Sequence, residues 1–573
     1  MKRRIVAAGL LLALAGALTP LAAELDLRHK WVWCMQNLRN PQMADEVIGL
    51  MERAKKAGYT GFVISDWTHN ILDQQGESYF NNVARVKAKA AELGLDVIPT
   101  VFGFGYADGI LWHDTNLIEG LPVKDAPFEV TDGKLLPRMD DETRLVNGDF
   151  DALDANGRLT GWWQEDVGES VHVDREVVKS GKASLRMQDI DTHSPTHGLC
   201  RVHQYINVKP WRYYRVSVWI RTEDFANPAA VELKVLAKRP GSLSHQYLEV
   251  KRTQEWTEHH VAFNSLDNDR VRIYCGTWGA KGGKLWWDGL RLEPGGFVNV
   301  IRRDACPVKL TSPDGKITYV EGKDVSPVVD PKLGREKWPG TYAAWHTPPE
   351  ITLPEGSRLK EGDRVLASYC HPVIIYGSQV TCSLTDPKVY EIMDDQFKRV
   401  HALWGAKVYM MGYDEIRCGG WTPDYDGRDM GEWLAESVRK ARAIIRKHAP
   451  DAKVLVWNDM FDPNHNAKSR GYYYLVRTPW AGSWKGLTPD IIIMDWYASQ
   501  AANSMKFFHE LNGHEMMMAG YYDNPNVVPN VTAWLSAAKA TPAKVTGIMY
   551  TTWGGDYRDL EKFIAEVDRQ AKE

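Results

Sequence analysis

The chain opens and closes in one rhythm of apolar and polar positions and changes to another in between. Apolar runs at residues 29–35, 61–65 and 95–102 read as buried strands, and the amphipathic stretches 45–57 and 81–93 between them read as helices. After a long middle section the alternation resumes, with a helix expected over 386–404 and strands over 408–411, 453–458, 490–496, 515–521 and 547–553. Strands separated by helices imply parallel, right-handed βαβ units. Three early strands and five late ones make eight. The expected class is therefore α/β, a (β/α)8 TIM barrel interrupted after its third strand.

From about residue 125 the pattern becomes short alternating stretches with turn residues every ten or so positions, as in an all-β jelly-roll sandwich. The phrases Asn147-Gly-Asp-Phe150, Gly161-Trp162, Ser180-Gly-Lys-Ala-Ser-Leu185, Tyr213 to Arg221, Trp256 and Trp286-Trp-Asp-Gly-Leu-Arg-Leu292 resemble, in order, a carbohydrate-binding module of the galactose-binding-like type. That resemblance implies sugar binding and a structural calcium ion. Residues 298–364, rich in Pro, Gly and charge, read as an elaborated return connection.

At the amino terminus, Lys2-Arg3-Arg4, an apolar run over 5–18 and the small residues Ala22 and Ala23 have the three-part form of a secretory signal, with cleavage expected near Ala23. The organisation expected is a signal peptide at 1–23, a first barrel part at 24–124, the sandwich at 143–295, a connecting segment at 296–369 and a second barrel part at 370–573. The protein is expected to be secreted or periplasmic, with no membrane contact after the signal is removed.

Composition narrows the partners. A net charge of −4 over 573 residues gives no basic surface for nucleic acid or an anionic membrane. The seven cysteines are dispersed, with no C-x-x-C spacing, so neither a zinc site nor a disulfide framework is expected. The 23 Trp and 24 Tyr matter more. Their rings present an apolar face and a polar edge, as sugar rings do, which makes an oligosaccharide or polysaccharide the expected partner.

The chemistry concentrates at the ends of the expected strands. The run 408–411 leads through Gly412 and Tyr413 into the adjacent carboxylates Asp414 and Glu415, and barrel enzymes place catalytic groups at the carboxyl ends of parallel strands. The second and third strands end near Asp66, Trp67, His69 and Tyr106. The later strands end in Trp457 with Asp459, Trp496, Tyr521 with Asp523, and Trp553 followed by Asp556. An isolated strand-end Trp is usually packing, whereas several on one barrel face describe an aromatic cup with a polar rim.

Residues 384–393 leading into Tyr409 to Ile416, followed by Val456-Trp-Asn-Asp-Met-Phe-Asp462, resemble the catalytic barrel of glycoside hydrolase family 20, the β-N-acetylhexosaminidases. By that resemblance Asp414 orients the substrate's 2-acetamido group and Glu415 is the general acid/base. Trp457, Trp496 and Trp553 line the pocket, Tyr521 supports the acetamido carbonyl and Asp523 holds sugar hydroxyls. Asp556, Asp66, Trp67, Tyr413 and Arg417 complete the expected substrate-binding set. The resemblance also implies a retaining, substrate-assisted exo-glycosidase that needs no cofactor for catalysis. Departures are Met410 where the family has His, Tyr413 in place of the second Gly, no Arg within 31–37, and the carboxylate of Asp556 displaced by one position. Two other readings stay open: a non-catalytic polysaccharide-binding protein on a degenerate barrel, and an exo-glycosidase for a sugar lacking the acetamido group, with Asp459 or Asp66 as nucleophile.

Overall fold

The structure is a computed structural model that describes residues 25–166, 168–377, 379–469 and 473–573. The expected signal peptide at 1–23 lies outside the described residues. Eight parallel strands close into a barrel in chain order: β1 (His29–Cys34), β2 (Gly61–Ile64), β3 (Asp96–Val101), β4 (Val408–Met411), β5 (Lys453–Trp457), β6 (Ile491–Asp495), β7 (Glu515–Tyr521) and β8 (Lys544–Thr551). Closure runs through β1 and β8, where Trp31 faces Met549. Alternation along each strand divides the side chains. Trp31, Trp33, Met410, Leu455, Trp457, Met494, Met517 and Met549 fill the barrel interior, while residues of opposite parity, such as Val32, Tyr409 and Ile493, join the larger core outside.

Helices cover the outside: α1 (Pro41–Ala57), α2 (Glu77–Leu93), α3 (Pro387–Trp404), α4 (Met430–His448), α5 (Ala501–Asn512), α6 (Val527–Lys539) and α7 (Leu560–Ala571). Helix α1 starts where Asn40 accepts a hydrogen bond from the Met43 amide and Pro41 takes the first helical position. It then buries Ala44, Val47, Leu50, Met51 and Ala54, spaced three and four apart, on the barrel side. Burying a side chain such as Val47 or Met51 contributes about 1.5–3 kcal/mol.

The expected class is corrected here. Helix makes up 27% of the described residues, and the molecule is a closed parallel barrel combined with several antiparallel sheets, a β-barrel and sandwich. The helix-per-strand alternation fails between β5 and β6, where among the described residues only short 3-10 turns, Asp459–Phe461 and Ser483–Gly486, appear with the strand Leu475–Val476. The interruption holds the sandwich and a third antiparallel sheet. The sandwich packs a five-stranded sheet (Gln254–Asn264, Tyr213–Glu223, Lys284–Pro294, Ser184–Met187, Val171–Asp174) on a four-stranded one (Val231–Ala237, Arg270–Trp278, Leu199–Asn207, Trp163–Gln164). A further five-stranded sheet lies beside it, in which Gly120–Thr131, leaving the barrel, pairs antiparallel with Arg364–Pro372, returning to it. An insertion must leave and re-enter the barrel at neighbouring points, and strand pairing satisfies the backbone of both crossings.

The sandwich core is made by the inward residues of both sheets, among them Val202, Ile206, Val216, Val218, Ile273 and Trp287, and it runs on to Val373, Cys418 and Leu475 beside the barrel mouth. The carboxylates of Asp151 and Asp288 in the sandwich are taken up by backbone amides of residues 182, 183, 179 and 180. Among the described residues no group of three or more His, Cys, Asp or Glu converges as a metal-ligand set, so the implied calcium ion would have to draw on backbone carbonyls. All seven cysteines are buried free thiols. No helix among the described residues is long and apolar enough to cross a membrane.

Candidate active site

Alternation carries four side chains to the carboxyl end of the barrel. Met410 faces inward, and so, two and four residues on, do Gly412 and Asp414; Trp457 ends β5, and Trp496 and Trp553 follow the inward Met494 and Met549 by even steps. By the same rule Glu415 should point outward. Its backbone sits in the left-handed region, with φ 48°, and this break in the alternation turns a second carboxylate into the cavity beside Asp414.

The cavity has a volume of about 200 Å³ and is lined by Tyr106, Asp414, Glu415, Trp457, Trp496, Tyr522 and Trp553. Sites for drug-sized ligands span roughly 300–1,000 Å³, so this one is scaled to a single ring. Trp33, which ends the inward row of β1, meets Trp457 and Trp553 edge-on with centroids 5.3 Å away in each case, forming the floor. Trp496 stacks on Tyr522 at 5.5 Å with the planes 2° apart.

A left-handed conformation at a residue other than Gly costs on the order of 1–3 kcal/mol unless its surroundings hold it. Here the Glu415 amide donates to Asp459 Oδ2 at 3.0 Å, and Gln379 Nε2 donates to the Glu415 carbonyl at 3.1 Å. On the other side Gly105 presses against the same peptide. A Cβ at position 105 would stand 2.0 Å from the Asp414 carbonyl oxygen, so only glycine fits. The Glu415 carboxylate pairs with Arg417 at 2.8 Å and accepts a hydrogen bond from the Tyr106 hydroxyl.

The cluster is electrostatically crowded. Burial, then the charges of Asp459 and Glu415, hold the Asp414 carboxyl well above the usual carboxylate range. Asp459, fully buried, is raised chiefly by burial, although bonds from the Glu415 amide and Asn466 oppose it. Its Oδ2 accepts from Glu415 and from Asn466 at 3.0 Å, while Oδ1 has no hydrogen-bond partner among the described residues. Burial and these same carboxylates raise the Tyr522 phenol, so its hydroxyl remains a donor facing the acids.

Several expected site residues lie elsewhere. Tyr521 is buried against Tyr550, with centroids 4.2 Å apart, and its hydroxyl reaches Asp559. Its φ of 66° ends the inward row of Met517 and Ala519, and the next residue, Tyr522, enters the cavity instead. Asp523 is exposed, and its Oδ2 accepts from the amides of Trp553 at 2.8 Å and Gly554 at 3.4 Å; it fixes the loop that carries Trp553. Asp556 pairs with Arg558. Tyr413 has the outward parity of its strand, packing on Phe104 and bonding Ser437 of α4 at 2.9 Å. Asp66 is buried and caps the following turn through Thr68, with further bonds from Tyr79 and Leu38; this removes it as a nucleophile. Trp67 packs near Trp112 under Arg39, and His69 bonds Thr100 and Trp404. Arg417 acts on Glu415 rather than lining the cavity. Trp33 was legible from its parity with Trp31, whereas the positive φ at Tyr521 and the distant Gln379 left no mark in the pattern.

Residues 144–281 match the family described as Carbohydrate binding domain. No curated protein sequence matches the chain. Among solved structures it is similar to the TmCBM61 module in complex with beta-1,4-galactotriose, at 18% identity and TM-score 0.22 over 26% of this chain and 98% of that one. It is similar to a rhamnosidase from Novosphingobium sp. PP1Y at 11% identity and TM-score 0.33, over 97% of this chain and 59% of that one. A chitobiase from Flavobacterium johnsoniae aligns over 34% of this chain and 33% of that one, at 15% identity and TM-score 0.22. The family match makes the chain carbohydrate-related through its sandwich, and it says nothing about the barrel's reaction.

Proposed function

We propose that the protein is an exported, retaining exo-glycosidase that cleaves terminal β-N-acetylhexosaminides by substrate assistance. The observation that carries the reading is that two consecutive carboxylates, Asp414 and Glu415, share a ring-sized cavity walled by Trp457, Trp496, Trp553 and Tyr522. A glycosidic bond needs a proton on its leaving oxygen and a nucleophile for the oxocarbenium-like anomeric carbon. Glu415 donates the proton as the bond to the leaving group breaks. The acetamido carbonyl oxygen attacks the anomeric carbon, and Asp414 accepts a hydrogen bond from the acetamido N–H as it becomes acidic. Water then opens the cyclic intermediate, giving up its proton to Glu415, so configuration is retained.

Tyr522 takes the role expected of Tyr521: its hydroxyl donates to the acetamido carbonyl and steadies the nucleophile. The tryptophans stack on the apolar sugar face and exclude water, which strengthens the charged contacts. Arg417 and Tyr106 aim Glu415. Asp459 serves as a support for the Glu415 peptide, since full burial and its bonds to Glu415 and Asn466 remove it from the cavity wall. No step calls on a metal or organic cofactor. The sandwich offers polysaccharide a second surface, where Trp163 is exposed and Tyr205, Arg272 and Tyr274 stand on one face of the four-stranded sheet. Aryl glycosides with and without a 2-acetamido group test the reading. Hydrolysis confined to the acetamido sugars is expected; equal hydrolysis of both kinds would transfer the reaction to a protein nucleophile, and hydrolysis of neither would leave a binding protein.

A further inference from the structure

Beside the cavity, the sandwich reaches the barrel through residues 245–247. The Tyr376 amide donates to the His245 carbonyl at 2.7 Å, and Gln246 Nε2 donates to the Ile374 carbonyl at 3.3 Å. Tyr247 of the sandwich stacks on Tyr376 of the barrel loop, with centroids 4.9 Å apart and planes at 27°. Tyr376 in turn bonds Tyr474 hydroxyl to hydroxyl at 2.7 Å. Both Tyr376 and Tyr474 have left-handed backbones, with φ 54° and 49°, conformations that persist only where the surroundings impose them. Their rings lie 5.1 and 4.7 Å from the guanidinium of Arg417, the group that pairs with Glu415. No reaction step uses these tyrosines, and Tyr247 remains 59% exposed.

Direction gives the arrangement a meaning. A cavity of about 200 Å³ admits one ring, so the next sugar must lie outside it. The acid that protonates the leaving oxygen stands on the side where that sugar departs, and here that acid is Glu415. A chain of contacts leads from Glu415 through Arg417 and Tyr376 to the exposed ring of Tyr247. Flat aromatic rings with polar edges stack on the apolar faces of β-linked sugars. We propose that the exposed ring of Tyr247 of the sandwich, backed by Tyr376 of the barrel loop, forms a subsite for the leaving-group sugar of a β-linked oligosaccharide. The inserted sandwich thereby completes the substrate site of the barrel. This assignment rests on the glycosidase reading above.

The test uses the full chain with chitotriose and with an aryl N-acetyl-β-glucosaminide. In Tyr247→Ala the ratio of kcat/KM for chitotriose to that for the aryl glycoside should fall about tenfold, through a higher KM for chitotriose, as when an aromatic anchor is truncated. Tyr247→Phe, which keeps the stacking face, should retain the parent's ratio. A parent that hydrolyses both with a ratio unchanged in Tyr247→Ala overturns the subsite alone. Loss of the ratio in Tyr247→Phe overturns stacking as its basis. A parent that cleaves neither overturns the glycosidase reading and this assignment with it.

Discussion

The barrel mouth and the sandwich both bury aspartates, with opposite results. Burial works to raise Asp174 in the sandwich, yet the Trp286 indole at 2.9 Å, the amides of Glu176 and Val177 and the Arg186 guanidinium at 2.8 Å bring it down to about 2. At the barrel mouth, Asp414 and Asp459 are held above the usual range, with an oxygen of Asp459 left unpaired. The sandwich surrounds its buried charge with donors and gains stability. The barrel gathers like charges around a left-handed Glu415 and gives stability up there, as functional sites do when they crowd carboxylates around a strained backbone.

The comparison can be broken in four ways, the largest effect first. Glu415→Gln keeps shape but cannot donate a proton, and turnover of substrates with poor leaving groups should fall by about 10² to 10⁴ while the melting temperature holds. Unreduced turnover would place the acid elsewhere. Gly105→Ala should displace the Asp414–Glu415 peptide and lower kcat by about 10²-fold, the usual penalty for roughly 1 Å of misplacement; parent-like kcat would mean that the peptide is not held by this contact. Asp174→Asn should lose about 2 kcal/mol at pH 7 in denaturant unfolding. Asp174 is lowered in the folded state, so its contribution is present above the ordinary carboxylate range and is lost as pH falls through about 2, and the deficit of the variant should shrink in acid.

The smallest effect has the opposite sign. Asp459 is raised in the folded state, so the fold retains a proton that the unfolded chain has released. Its cost is absent below the unfolded carboxylate value and grows as pH rises from there through the raised value. Asp459→Asn can keep the bonds from Glu415 and Asn466 while filling the unpaired position with a donor. It should stabilise the protein by about 1 kcal/mol at pH 8 and by much less near pH 4. A destabilised variant at pH 8 would show that the charge at this position is matched rather than crowded.

How much of this was legible follows from how far alternation runs. The inward rows of Met410, Leu455 and Met494 could be read as period-two strands, and their continuation delivered Asp414, Trp457 and Trp496. Where a residue has a positive φ the parity changes without altering composition, so Tyr521, which the family resemblance put in the cavity, gives way there to Tyr522. Glu415 reaches the cavity through the same kind of break. Asp66, Asp523 and Asp556 have the residue type for sugar hydroxyls, but turn capping, loop bracing and an Arg partner claim their oxygens, competitors that only the fold reveals. The class was misread because counting strands leaves the antiparallel sheets uncounted, and the pairing of Gly120–Thr131 with Arg364–Pro372 is long-range.

The central claim is that adjacent carboxylates in one cavity perform different tasks, and hydrolysis of an activated aryl N-acetyl-β-hexosaminide by the parent, Glu415→Gln and Asp414→Asn tests it most directly. With a good leaving group, protonation matters little and the acetamido nucleophile matters fully. In kcat/KM, which reports the steps up to departure of the leaving group, Asp414→Asn should therefore fall far below the parent, by about 10² or more, while Glu415→Gln stays much closer to it. Equal rates in all three proteins would contradict the account.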